Sequence, residues 1–207
     1  MAPPSTTNKQ YRTRKDLLQA AARLLKAGSE PTMEDVAKEA LVSRATAYRY
    51  FSDIEDILAE VGIDDSVPSS KELFDKHSPS NIIERVDFAE SVMHDFIYKN
   101  ERQLRSLLSR TVIKPKKTDP KSEVPARQNR RTDYINEALA PYRREFDSKT
   151  YKNLSEALAL VFGPEAMIVF QDVIALEAKR AREVKRWMLT ALVNTALKEA
   201  RRRKQAL

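Results

Sequence analysis

An all-α fold is what this sequence predicts, and two observations predict it, while a third bounds its chemistry. Glycine is scarce, 3 in 207 residues, against a usual share of about 7%, so tight hairpin turns have few places to form. Apolar residues recur at spacings of three, four and seven along most of the chain, the period of one face of a helix. Cysteine is absent, which removes disulfide frameworks, thiolate nucleophiles and cysteine-based metal sites together. The expected organisation is a mobile arm over residues 1–11, a small helical domain over 12–62 and a larger helical domain over 71–207.

Element by element, the arm holds two prolines and a run of Ser, Thr and Asn with no apolar period. Order is expected to begin near Arg12, where Leu17, Leu18, Ala21, Leu24 and Leu25 trace a first amphipathic helix that Gly28 can cap. Glu30 and Pro31 break it. Thr32 followed by Asp35 has the spacing of a capping box and opens a short second helix carrying Val36, Ala37 and Ala40. Leu41 and Val42 make the turn, Ser43 caps a third helix, and Ser52 with Glu55 repeats the start signal for a fourth helix containing Ile54, Ile57, Leu58 and Val61. Residues 62–70 read as a linker.

The second half continues in helices. Ser80 opens a stretch in which Ile82, Ile83, Val86, Ala89, Val92, Met93 and Phe96 keep helical spacing, followed by Leu104, Leu107 and Leu108. Residues 114–125 hold three prolines and four lysines and are expected to be a solvated loop. Patterns resume around Tyr134, Ala138 and Leu139, and then around Leu154, Leu158 and Val161. After the break at Gly163-Pro164 come an apolar stretch, 165–176, and a last helix over about 182–203.

Bulk charge does not assign a partner. The formal charge is +7, yet residues 1–55 carry nine Lys or Arg against seven Asp or Glu, while 110–131 carry eight against two. A nucleic-acid argument must therefore come from motif and geometry. No run of about 18 apolar residues suggests a membrane span, and the N-terminal residues lack the apolar core of a signal peptide, so a cytoplasmic protein is expected.

The spacing of the first four elements does carry such an argument. Two short capped helices joined by two or three residues cross steeply, as in a helix-turn-helix. The third helix, from Arg44 to Tyr50, is rich in donors and aromatics. Its outward face is expected to hold Arg44, Thr46 and Tyr48, with Ala47 and Phe51 turned inward. Tyr50 either joins the outward face or packs against Phe51 and the first helix. A helix fits the major groove, where Arg44 can meet guanine O6 and N7 and Ala45 a thymine methyl. Thr46 and the Tyr48 phenol suit phosphate oxygens, as do amides at helix starts.

These residues carry a resemblance. Arg14 to Val61 is similar to the DNA-binding domain of TetR-family transcriptional regulators through Leu17-Leu18-Gln19-Ala20-Ala21, Thr32-Met33-Glu34-Asp35-Val36-Ala37 and Val42-Ser43-Arg44-Ala45-Thr46-Ala47-Tyr48-Arg49-Tyr50-Phe51, three blocks in order over about a quarter of the chain. It implies a dimeric, all-helical regulator, more often a repressor, whose third helix reads a pseudo-palindromic operator and whose C-terminal domain takes a small effector that loosens the grip. The resemblance implies DNA-facing positions at Thr32, Met33, Ser43, Arg44, Ala45, Thr46, Tyr48 and Tyr50. Two positions depart from the family pattern: Leu41 stands where glycine is usual, implying a strained or differently shaped turn, and Ile54 where a phosphate-contacting lysine is common. Lys9, Arg12, Arg14 and Lys15 are the candidate substitutes for that contact. The alternative is a helical ligand-binding or scaffold protein of the same shape without DNA affinity.

The larger domain supplies the remaining expectations. Met167, Ile168, Val169, Phe170, Val173, Ile174 and Leu176 cover most of a helix circumference, so that helix must be buried on more than one side. With Val184, Trp187, Met188, Ala191 and Thr195 of the last helix they suggest a four-helix interface between two copies, formed by Ile168, Phe170, Val173 and these five. Phe88, Met93, Phe96, Tyr134, Tyr142 and Phe162 are the candidate lining of an effector pocket. His77 and His94 lack a second ligand at useful spacing, and no glycine-rich nucleotide fingerprint occurs. No catalytic site, metal or cofactor is expected.

Overall fold

The computed structural model describes residues 5–64, 69–77, 79–113 and 130–205. Among them the helices are α1 (Ser5–Lys26), α2 (Met33–Glu39), α3 (Arg44–Tyr50), α4 (Ile54–Asp64), α5 (Ser70–Lys76), α6 (Ile82–Lys99), α7 (Glu101–Ile113), α8 (Arg130–Leu139), α9 (Ser148–Val161), α10 (Pro164–Ile168) and α11 (Ala178–Gln205), with no strand. The fold is all-α. The expected loop over 114–125, and parts of the expected arm and linker, lie outside the described residues.

The chain divides into two units, Met1–Val67 with Arg102–Gln128 and Pro68–Glu101 with Asn129–Leu207. This differs from a boundary drawn at residue 71 alone, because α7 from Arg102 onward groups with the N-terminal unit. Helix α1 also begins at Ser5 rather than near Arg12. Residues 5–11 have no apolar period, but they contain no helix breaker either, and the prolines lie before them.

In the N-terminal unit, Leu17, Leu18, Ala20 and Ala21 of α1, Met33, Val36 and Ala37 of α2, Ala47 and Tyr50 of α3, Phe51, and Ile57 and Val61 of α4 form one buried cluster. Burying a side chain the size of Phe51 contributes about 1.5–3 kcal/mol, and this shared core is what ties α1 to α4 together. The α2 start is as its sequence dictates: Thr32 Oγ1 accepts the Asp35 amide and the Asp35 carboxylate accepts the Thr32 amide. That hydroxyl holds the Asp35 carboxyl below its usual range.

Helices α1 and α2 end in the same way. After α1 the Gly28 amide donates to Leu25 O and the Ser29 amide to Leu24 O. After α2 the Leu41 amide donates to Lys38 O and the Val42 amide to Ala37 O. Both are Schellman closures, which require a left-handed residue just past the helix. Gly28 supplies it at φ 79°, and Leu41 at φ 56°. The turn of the helix-turn-helix is therefore strained and not reshaped.

The C-terminal unit is built on α6, which packs against α8 and α11, while α9 packs against α8 and α11. Val86, Ala89, Met93 and Ile97 of α6 are buried in its interior, as are Ile135, Leu139, Leu154, Leu158, Leu189 and Val193 of the helices around it. Arg85 lies over the Phe74 ring of α5 and donates to the carbonyls of Glu137 and Ala138 that end α8. At the expected break Gly163 lets Arg131 pass: a Cβ there would stand 2.2 Å from its guanidinium, which donates to Ala159 O and to Glu165. The sequence reading does not contain α5, the 3-10 turn Ala140–Glu145 or the π-helical turn Val169–Val173. It also starts the last helix four residues late, at Arg182 instead of Ala178.

Candidate nucleic-acid interface

Seven residues are too few for α3 to be stable alone, so its ends are fixed from outside. Ser43 Oγ accepts the Thr46 amide at 3.1 Å and lies 2.9 Å from the Thr46 hydroxyl, which closes the N-terminus. Ala47 and Tyr50, three residues apart, share the inward face, Ala47 at 0% exposure and Tyr50 at 2%. Arg44 and Tyr48, four apart, share the opposite face. The Arg44 guanidinium lies 5.5 Å from the Tyr48 ring centroid and 3.9 Å from the Glu34 carboxylate on α2. Arg44, Ala45, Tyr48 and Arg49 are exposed and Thr46 is half-exposed.

Two expected DNA-facing positions are corrected. Tyr50 is part of the core because it repeats the Ala47 face one turn later, and its ring is sealed there. Met33 is likewise buried, its side chain among the core residues at the first position of α2. Of the expected positions, Thr32, Ser43, Arg44, Ala45, Thr46 and Tyr48 remain at the surface, with the Ser43 hydroxyl engaged in the cap.

The expected compensation for Ile54 also changes. Ile54 itself packs against the core cluster. Helix α4 is capped by Asp53, whose carboxylate accepts the Asp56 amide, and Asp56 accepts the Ser52 amide; Ser52 is not the cap. Both carboxylates lie near Arg110 of α7, at 3.9 and 3.6 Å. Arg12 and Lys15 are exposed, whereas Arg14 is buried at 5% and cannot serve as a phosphate contact. Lys9 lies where side chains are not described.

In the C-terminal unit the expected interface residues divide. Trp187 is 72% exposed and Val173 71%; Ala191 and Thr195 are exposed, and Ile168, Val184 and Met188 half-buried. Phe170, within the π-helical turn Val169–Val173, is buried inside its own unit and is removed from that set. Leu160 of α9, which the sequence reading passed over, is 74% exposed. Among the expected pocket residues, Met93, Tyr134 and Phe162 are core, and burial pushes the Tyr134 hydroxyl up to about 12. Phe88 packs edge-on to Phe74 and His77, Phe96 is half-buried, and Tyr142 donates to Ser80 O.

His94 faces Lys185 Nζ at 3.4 Å, and Lys185 bonds Glu90 at 3.0 Å. Burial, then Lys185 and Arg182, hold His94 down at about 4. Among the described residues no group of His, Asp and Glu could hold a metal, and no single helix is long and apolar enough to cross a membrane. The bent pair α9 and α10 with its π turn passes that test jointly, but Leu154, Leu158, Phe162 and Met167 are core.

Residues 17–61 match the family model described as bacterial regulatory proteins, tetR family. No curated protein and no solved structure matches the chain.

Proposed function

We propose that this chain, whose residues 17–61 match the family model of tetR bacterial regulatory proteins, is a DNA-binding transcription regulator and acts as a homodimeric repressor. It reads a pseudo-palindromic operator with α3 in the major groove, in the cytoplasm, and a small effector bound in the C-terminal unit releases it. The observation that carries the reading is the division of α3 into a sealed face, Ala47 and Tyr50, and an open one, Arg44, Ala45, Thr46 and Tyr48. Nothing in the core of the N-terminal unit needs an arginine and a tyrosine there, whereas a major groove accepts both.

On α11, Val184, Trp187, Met188 and Ala191 recur at spacings of three and four and all keep exposure, which supports the dimer. A tryptophan 72% exposed within that stripe is unusual on a lone subunit. Two copies joined there present their third helices about 34–36 Å apart or a multiple of that, the spacing of successive major-groove faces. For the effector, Phe88, Phe96 and Tyr142 keep partial exposure and are the positions to probe first.

The test is selection of duplexes from a randomised pool by the full chain, followed by affinity measurements over a salt series. A selected sequence with dyad symmetry, bound with a steep inverse dependence on salt, is the expected result. A chain that prefers no duplex over the pool leaves the scaffold alternative standing.

A further inference from the structure

Arg14 interrupts the apolar stripe of α1, on the same face as Leu17, Leu18 and Ala21, and is buried at 5%. Its guanidinium makes three contacts at once. One amino group donates to the main-chain carbonyl of Tyr50 at 3.1 Å, the other donates to the buried Glu60 carboxylate of α4, and the plane lies 4.2 Å from the centroid of the Phe51 ring. Tyr50 is the last residue of α3 and Phe51 its cap.

Stability does not account for this arrangement. A buried ion pair loses in desolvation about what it gains in attraction, and apolar residues of similar volume often do as well or better. The Arg14 Nε–H moreover has no acceptor among the described residues. What a planar fork adds is direction, since two fixed donors and a stacked ring set an angle that a methyl contact leaves loose. From Tyr50 back to Arg44 the helix axis runs about 9 Å at 1.5 Å per residue. A tilt of about 15° at the fastened end therefore carries Arg44 about 2 Å, well beyond the roughly 0.5 Å within which a binding group must be held.

We propose that Arg14 is a positioning residue for base reading: by forking between the α3 terminus and Glu60 it sets the angle of the recognition helix and contributes sequence discrimination. This rests on the DNA-reading function proposed above. The acidic partner and the carbonyl are both needed, so lysine, with a single ammonium and no plane to stack, is a poor substitute.

The experiment uses full-length wild type, Arg14→Lys and the double variant Arg14→Met with Glu60→Leu. Each is measured against a duplex selected by the wild type and against the unselected pool, alongside thermal unfolding. The readout is the ratio of the two affinities, because a smaller folded fraction lowers both alike and leaves the ratio unchanged. The double variant should melt cooperatively near or above the wild-type temperature while its ratio falls at least about tenfold, and Arg14→Lys should lose ratio as well. A folded double variant with the wild-type ratio overturns the inference; if that variant does not fold, Arg14→Lys with the wild-type ratio does so. A wild type that shows no preference defeats the function and the inference together, whereas a discriminating wild type with equally discriminating variants defeats the inference alone.

Discussion

Lysine 185 offers the sharpest test of how the C-terminal unit is held. Lys185 and Glu90 are each 0% exposed, and their oxygen and nitrogen lie 3.0 Å apart, bridging α11 and α6. Arg182 approaches the other Glu90 oxygen at 3.3 Å. Replacing Lys185 by methionine keeps most of the volume and removes the cation, leaving a buried carboxylate facing Arg182 alone. Removing one partner of a buried pair costs about 3–5 kcal/mol, and the remaining arginine places this case near about 3 kcal/mol. Burial already raises the Glu90 carboxyl, and Lys185 and Arg182 oppose that rise, so the variant raises it further. A carboxyl with a raised folded pKa loses stability as pH climbs above its unfolded value, because the unfolded chain ionises first. The deficit should therefore be larger near pH 7.5 than near about pH 5. Urea unfolding followed by circular dichroism at both pH values measures it. Adding Glu90→Leu should bring stability back to within about 1 kcal/mol of wild type. A single-variant loss under about 1 kcal/mol, or one that grows on acidification, refutes the reasoning.

Other outcomes follow from single sites. Leu41→Gly should raise stability by about 1 kcal/mol in thermal unfolding, since the leucine sits at φ 56° with its side chain 93% exposed and nothing to lose. His94 is held at about 4 in the fold and titrates near 6.5 when unfolded. The unfolded chain thus binds the proton first, and stability should fall by up to about 3 kcal/mol between pH 6.5 and 4; a pH series on wild type and His94→Gln should show a clearly larger fall in the former. Trp187→Glu should convert dimers to monomers in light scattering, and a dimer that survives moves the interface off α11.

The elements were legible where local chemistry decides them. The capping box at Thr32, the Ser43 cap and the Gly28 terminus each follow from two or three neighbouring residues and stand as read. The misreadings came from contacts between distant residues. Tyr50 and Met33 present polar or flexible groups in a DNA-facing stretch, yet tertiary packing claims both. Arg14, Glu90 and Lys185 each stand within an apolar stripe, at helical spacing from Leu17, Met93 and Leu189 respectively. A charge in such a stripe is a sign of a buried partner on another helix, but the sequence does not say which. Arg14 and Glu60 are 46 residues apart, and Lys185 and Glu90 are 95. The start of α1 is not legible because its first residues have no apolar face, and α5 is not because its capping box, Ser69 with Glu72, begins inside the stretch whose composition reads as a linker.

DNA reading by the open face of α3 is tested most directly by Arg44→Ala. Duplex selection repeated with that variant, with affinities at fixed salt, should show preference relaxed at one base position in each half-site and a loss of about 1–3 kcal/mol on the wild-type sequence. An equal loss on every duplex, with the selected sequence unchanged, would contradict the assignment of Arg44 to a base edge; no loss at all would place the DNA contact elsewhere on the molecule.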